Sequence, residues 1–321
     1  MAYGYPRRWR AGEPFAGAEV TRRTFLRLGG GAAAWLAAGM GARPAKAAQA
    51  YPDVAVCKGA PEEAVRTAVA ALGGMERFVK KGDRVVVKPN MSFPSGPEAA
   101  SNTDHRVAAA VVALCKEAGA ERVLVLDNTL SDAERCMEGS GIRAACELLE
   151  PGSVHVLEEA RFFASVDIPD AKALDRTDVM RDVLDADVLI SVPKAKSHGG
   201  TGVSLSLKNM MGLILDRGAL HRRGLDEAIV DLGLVLRPAL VVLDATTALT
   251  TGGPFGPGKV ERKDLIIAST DPVAADAQAV TEYQWYGRSI LPRQVKHIRL
   301  AHERGLGRMD VENLDVRRME A

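Results

Sequence analysis

Val188-Leu189-Ile190-Ser191-Val192 runs straight into Pro193-Lys194-Ala195-Lys196-Ser197-His198-Gly199-Gly200-Thr201-Gly202. An apolar, β-branched run ending in a polar, glycine-rich segment reads as a strand buried on both faces, of the kind found in parallel sheets covered by helices. The same shape recurs three times. Arg84–Val87 leads into Lys88-Pro89-Asn90, Arg122–Leu126 into Asp127-Asn128-Thr129, and Leu240–Leu243 into Asp244-Ala245-Thr246-Thr247. Val54–Cys57, Ser153–Leu157 and Leu265–Ala268 are further strand-like runs. Helical periodicity is expected over Glu62–Leu72, Arg106–Ala118, Ile142–Leu149, Leu225–Leu236, Pro272–Gln284 and Arg293–Arg304. This alternation predicts a layered α/β fold, a mostly parallel sheet flanked by helices. Loops are polar for many reasons. Four parallel strands, however, would carry all four polar tails to one carboxyl-end rim, where open α/β sheets bind ligands.

Pro193–Gly212 holds the densest chemistry. Lys194, Lys196 and Lys208 supply point charges suited to a carboxylate or phosphate, and Lys88 and Asn90 join them if the rim assembles. His198 is of the type that exchanges protons near neutral pH. Gly200 and Asn209 offer further hydrogen-bond donors, and a helix starting near Val203 would present backbone amides to an anion. His221, among Arg217, Arg222 and Arg223, reads as a basic loop facing the same rim. In the segment 252–258, four glycines and two prolines exclude helix and central strand; Gly253 reads as part of a lid, an anion nest or a long turn. Asp127 and Asp244, with Asp271 and Asp276, are the oxygen donors available to a hard cation such as Mg²⁺ or Ca²⁺. Asp271 before Pro272, and Asp104 before His105, also read as helix caps. Neither G-x-x-x-x-G-K-[ST] nor G-x-G-x-x-G is present. The donors suit a small anionic molecule, a metal ion or a metal–nucleotide cofactor.

The charge is divided unevenly along the chain. Residues 1–50 hold eight Lys/Arg and two acids, leaving 34 basic and 39 acidic residues in 51–321, a net of −5. An acidic body argues against nucleic acid as a partner. Arg22-Arg23 with Phe25-Leu26, an uncharged Gly/Ala-rich stretch from Leu28 to Ala42, and small-x-small sites at Ala45–Ala47 and Ala48–Ala50 have the layout of an export signal. The paired arginines resemble the twin-arginine (Tat) consensus, so residues 1–50 are expected to engage the Tat translocase and the protein to be periplasmic or otherwise extracytoplasmic. The uncharged stretch is about 22 Å long as a helix, short of a roughly 30 Å bilayer core. Cys57, Cys115, Cys136 and Cys146 include no C-x-x-C pair, so no intrinsic iron–sulfur cluster is expected.

Lys88-Pro89-Asn90, Thr103-Asp104-His105, Pro193–His198, Lys208-Asn209-Met210-Met211-Gly212, Gly252-Gly253-Pro254 and Asp271–Asp276 together resemble the bacterial family "domain of unknown function 362", in the expected order over most of residues 51–321. Many members add a ferredoxin-like segment, so the resemblance implies an iron–sulfur redox partner. A second resemblance, of His198 through Lys208 to Gly212, is to nickel-pincer lactate racemases. It implies Lys208 as the attachment point of a pincer nucleotide, His198 as an acid/base, and His221 as a metal-binding or second acid/base residue, although Ser206-Leu207 stands where that segment has Gly-Gly. The expectation is an exported, enzyme-like α/β protein that binds an anionic small molecule or nucleotide-type cofactor, with isomerase- or racemase-like proton transfer. The alternative is a non-catalytic periplasmic binding protein or an iron–sulfur-associated redox accessory protein.

Overall fold

The computed structural model describes residues 51–321, so the export signal expected in residues 1–50 lies outside it. Strand by strand, the described chain runs β1 (Val54–Lys58), β2 (Arg84–Pro89), β3 (Arg122–Asp127), β4 (Val154–Val156), β5 (Phe163–Asp167), β6 (Arg176–Met180), β7 (Val188–Val192), β8 (Lys194–His198), β9 (Gly202–Ser204), β10 (Leu240–Leu249), β11 (Val260–Ser269) and β12 (Val316–Glu320). Ten of these strands form one sheet in the order β12-β1-β11-β10-β7-β2-β3-β4, with β8 paired to β10 and β9 to β8. The run β10-β7-β2-β3-β4 is parallel throughout. β11 runs against both its neighbours, and β9 runs against β8.

The central strands are buried on both faces, as their unbroken apolar sequence requires. Alternate residues point to opposite sides of a strand. Val85 and Val87 of β2, Val123 and Val125 of β3, and Ile190 of β7 join one core with Val65 and Val69 of helix Pro61–Ala71 and Val107 and Val111 of helix His105–Glu117. Val86 and Leu124, on the other side, are equally buried. Helix Leu225–Val235 packs with helix Lys296–Glu303, and helix Pro272–Glu282 with helices Ser206–Asn209 and Lys296–Glu303. Burying a Val or Leu side chain contributes about 1.5–3 kcal/mol, so this double cover is the main stabilising element.

Two caps fall where the sequence placed them. The Asp104 carboxylate accepts Arg106 N at 2.9 Å, and Asp271 Oδ1 accepts Val273 N and Ala274 N at 2.8 and 3.0 Å. The departures are local. Lys194–His198 is not a loop but strand β8, because β10 continues past the end of β7 and offers β8 its free edge. Val203 belongs to β9, so the expected helix begins only at Ser206. Residues 160–178, whose pattern is irregular, form most of the antiparallel ribbon β5–β6. The edge strand β12, with three charged residues in five, lacks the apolar run that marks the central strands.

Candidate functional site

The carboxyl ends of β2, β3 and β7 face one cleft of about 640 Å³, counting its open mouth, within the range of small-molecule sites, and β10 reaches it through Asp244, which pairs with Lys194. Lys88, Asn90, Asp127, Lys194, Lys196, His198, Lys208, Asn209 and His221 all line it. The polar residues that follow β2, β3 and β7 meet there because parallel strands share a rim, whereas Asp244–Thr247 lies within β10 and does not line the cleft. β10 backs β8, whose Lys194, Lys196 and His198 line the cleft. Its register passes from Leu240↔Ile190 on β7 to Asp244↔Lys194 on β8, so the sheet changes partner beneath the cleft.

Each lysine has its own setting. Lys88, fully buried, pairs with Asp127 at 3.0 Å and also meets Asn209 Oδ1 at 3.3 Å. Burial lowers its pKa, and Asp127 opposes that shift. Lys194, 1% exposed, pairs with Asp244 at 3.0 Å and donates to Thr247 Oγ1 at 2.9 Å. Lys196 donates to Asn90 Oδ1 at 2.9 Å and to the Ser101 carbonyl, and its ammonium sits 4.9 Å from the centre of the Phe93 ring. Burial, reinforced by Lys208, holds Lys196 well below the usual lysine range. Lys208 makes no hydrogen bond or ion pair among the described residues. Burial first, then the Arg217 guanidinium, bring it down to about 8.

The short helix that carries Lys208 is fixed from behind. Asp276, fully buried on helix Pro272–Glu282, accepts Ser206 N at 2.7 Å and Leu207 N at 2.9 Å. Asn209 Nδ2 donates to Lys88 O at 2.8 Å, locking the helix onto β2. Gly212 is tight for a specific reason: a Cβ there would lie 2.2 Å from Asp127 Oδ1 and 2.8 Å from Lys88 Nζ.

His198 is settled by its hairpin. Its Nδ1 accepts the Gly200 backbone N–H at 3.1 Å and contacts Thr201 Oγ1 at 3.1 Å. Burial, followed by Lys208, lowers the imidazole to about 3. A neutral ring whose Nδ1 accepts a backbone N–H carries its proton on Nε2. In that form His198 presents the cleft with an Nε2–H hydrogen-bond donor. Tyr286 holds the hairpin from outside, its hydroxyl accepting His198 N–H and donating to Gly202 O, both at 3.0 Å. Arg217 and His221 lie four residues apart on helix Arg217–Arg223 and so share a face. Arg222 and Arg223 pair instead with Asp216 and Asp175. The i, i+4 spacing was the available signal for Arg217, whose guanidinium is anchored to Asn128 O at 2.6 Å and to Thr129 O. Burial, with Lys208 adding to it, lowers the exposed His221 from its ordinary value, which favours a neutral ring.

Other expected donors are committed within the chain. Gly200 N–H goes to His198, and Gly253 N–H goes to Ser197 Oγ at 2.9 Å, so these amides are spent on architecture. The 252–258 segment links β10 to β11. It presses on β8, and Pro254 is its contribution to the cleft wall. Asp127 and Asp244 are each matched to a buried lysine and to backbone N–H groups. Asp271 and Asp276 are occupied as caps. Among the described residues no group of three or more His, Cys, Asp and Glu is arranged to hold a metal ion, so the carboxylates do not fit an all-protein metal centre. The four cysteines are free and buried.

An α/β protein with a basic cleft at its strand ends is the class that this architecture defines. The family model for the domain of unknown function DUF362 matches residues 85–281, and the chain belongs to that family. It is 29% identical over 221 residues to the thylakoid-associated protein sll1697 of Synechocystis, a match covering 66% of each, so the chain spans just under two thirds of that relative's length. Among solved structures it is similar to the lactate racemase apoprotein from Thermoanaerobacterium thermosaccharolyticum, with 13% identity and a TM-score of 0.44 over 71% of this chain and 57% of that one.

Proposed function

We propose that the cleft binds a small anion, a carboxylate or a phosphate ester, and that the protein is an enzyme-like member of its family working by proton transfer beside that anionic group. One observation carries this reading. Five basic side chains line or close the cleft (Lys88, Lys194, Lys196, Lys208 and Arg217), and only Lys88 and Lys194 have carboxylate partners. Lys196, Lys208 and Arg217 form no ion pair among the described residues. Burying like charges together costs free energy that an arriving anion would recover. Perturbed titratable groups gathered in one cleft are also a mark of functional sites.

In this reading Lys196, Lys208 and Arg217 hold the anion. His198 Nε2–H donates to oxygen on which negative charge develops, as fixed donors do in oxyanion sites. His221, at the mouth and favouring the neutral form, carries the proton. The test is calorimetric titration with malonate, phosphate and pyrophosphate at low salt. A charge-assisted hydrogen bond contributes about 1.5–3 kcal/mol, so Lys208→Ala is expected to weaken binding roughly ten- to hundredfold. Equal affinity in variant and wild type would refute the assignment. Export is part of the same proposal, motivated by Arg22-Arg23 and the Gly/Ala-rich stretch that follows. Replacing both arginines by lysine should retain the full-length chain in the cytoplasm, and unimpaired export would count against it.

A further inference from the structure

Four lysines face the cleft, and three of them are tied. Lys88 is held by Asp127 and Asn209, Lys194 by Asp244 and Thr247, and Lys196 by Asn90, Ser101 and the Phe93 ring. Lys208 alone has no acceptor among the described residues, although its backbone is held at both ends of its helix. Asp276 grips the start of its helix and Asn209 pins the end to β2. The amine is therefore positioned by rigid structure while its lone pair and protons remain uncommitted. It shares the cleft with the basic side chains of Lys196 and Arg217 and with the imidazoles of His198 and His221. A lysine shielded from water beside other cations is the setting in which an amine becomes a nucleophile toward carbonyl carbon.

We propose that Lys208 forms a Schiff base with a small anion that bears a ketone or aldehyde, a 2-oxo carboxylate being the representative class. This deepens the anion-binding reading and rests on it, since Lys196 and Arg217 would hold the charged group while Lys208 meets the carbonyl. The neutral amine's lone pair forms the C–N bond, and the carbonyl π pair moves to oxygen, which is protonated. The resulting carbinolamine loses that oxygen as water. One carbonyl and one amine give one C=N bond and one water, with no oxidant or reductant. Oxygen leaves as water with one proton from the amine nitrogen and one from solvent, so the protonated imine carries the same single positive charge as the ammonium form of Lys208. It also withdraws electrons from the adjacent carbon, making a proton there easier for His221 to remove.

The experiment is reductive trapping on the full-length protein at pH 8 with pyruvate and cyanoborohydride. Peptide mass spectrometry locates the adduct, acetone serves as the uncharged carbonyl, and pyruvate binding to the wild type is measured separately by calorimetry without reductant. At this pH about half of Lys208 would be unprotonated, against well under one per cent of an ordinary lysine. Labelling of Lys208 by pyruvate should exceed that of exposed lysines more than tenfold, fall away when phosphate competes, be weak with acetone, and vanish in Lys208→Arg. Pyruvate that binds but leaves no adduct on Lys208, or an adduct spread evenly over surface lysines or sited on Lys196, would overturn carbonyl capture and leave anion binding standing. Pyruvate that neither binds nor labels would remove both.

Discussion

Gly212→Ala puts a single methyl group into the most constrained contact of the cleft. The added Cβ would lie 2.2 Å from Asp127 Oδ1, 2.6 Å from Lys88 Cε and 2.8 Å from Lys88 Nζ. Neither side chain can swing away cheaply. Both are fully buried, the Asp127 carboxylate is fixed by Met91 N at 3.0 Å and Asn128 N at 2.9 Å, and Lys88 is boxed in by Asn209. Relief requires separating the 3.0 Å ion pair in a place without water. Breaking a buried pair costs about 3–5 kcal/mol, so Gly212→Ala should approach that loss and lower the melting temperature by roughly 10 °C for a domain of this size. Gly233→Ala is the control. It sits within helix Leu225–Val235, its Cβ would meet Leu306 at 3.5 Å, and alanine in a helix is favoured over glycine by up to about 1 kcal/mol. Urea unfolding followed by circular dichroism reads both. A Gly212→Ala variant within about 1 kcal/mol of wild type, or a Gly233→Ala variant that is the more destabilised of the two, would refute the steric clash.

Three further outcomes follow from the same geometry. His198 has a folded pKa of about 3, below the ordinary value of 6.5, so the unfolded chain takes up a proton first as pH falls; stability from this residue is full above 6.5 and is lost on descending toward 3. Imidazole NMR should show His198 neutral, with its proton on Nε2, from pH 8 down to pH 5, and a midpoint near 6.5 would contradict it. Gly253→Ala places a Cβ 1.9 Å from the Ser197 carbonyl oxygen, so the 252–258 segment should lift from β8, detectable as faster proteolysis there and weaker anion binding. Cys115 and Cys146 are pushed up to about 12 by burial, and all four thiols are buried. A thiol reagent should therefore label the native protein slowly and reach four groups per chain only on unfolding; rapid native labelling would argue against the packing.

The strand ends were legible because each is written locally. A β-branched run stops at Lys88, Asp127 or Pro193, and parallel pairing brings these stops together on one rim, whereas the run into Asp244 continues as strand to Leu249. The helix caps at Asp104 and Asp271 were legible for the same reason, since a cap is an interaction within a few residues. Charge type at Lys88, Lys194, Lys196 and Lys208 also came from sequence, and so did their convergence once strand direction was assumed. What these side chains do with their charge did not. Three of the four lysines are satisfied by partners at least 50 residues away in the chain (Asp127, which is 39 residues from Lys88, being the exception), and only the folded sheet reveals that Lys208 is the one left over. Likewise β8 exists because β10 outruns β7, an edge that no local pattern encodes. The Nδ1 of His198 is engaged by Gly200 N–H within a hairpin that the distant Tyr286 hydroxyl also holds, and no local pattern shows that contact. Residue type and local period fix which groups are available. Their protonation, pairing and freedom depend on burial and distance, and those are properties of the assembled fold.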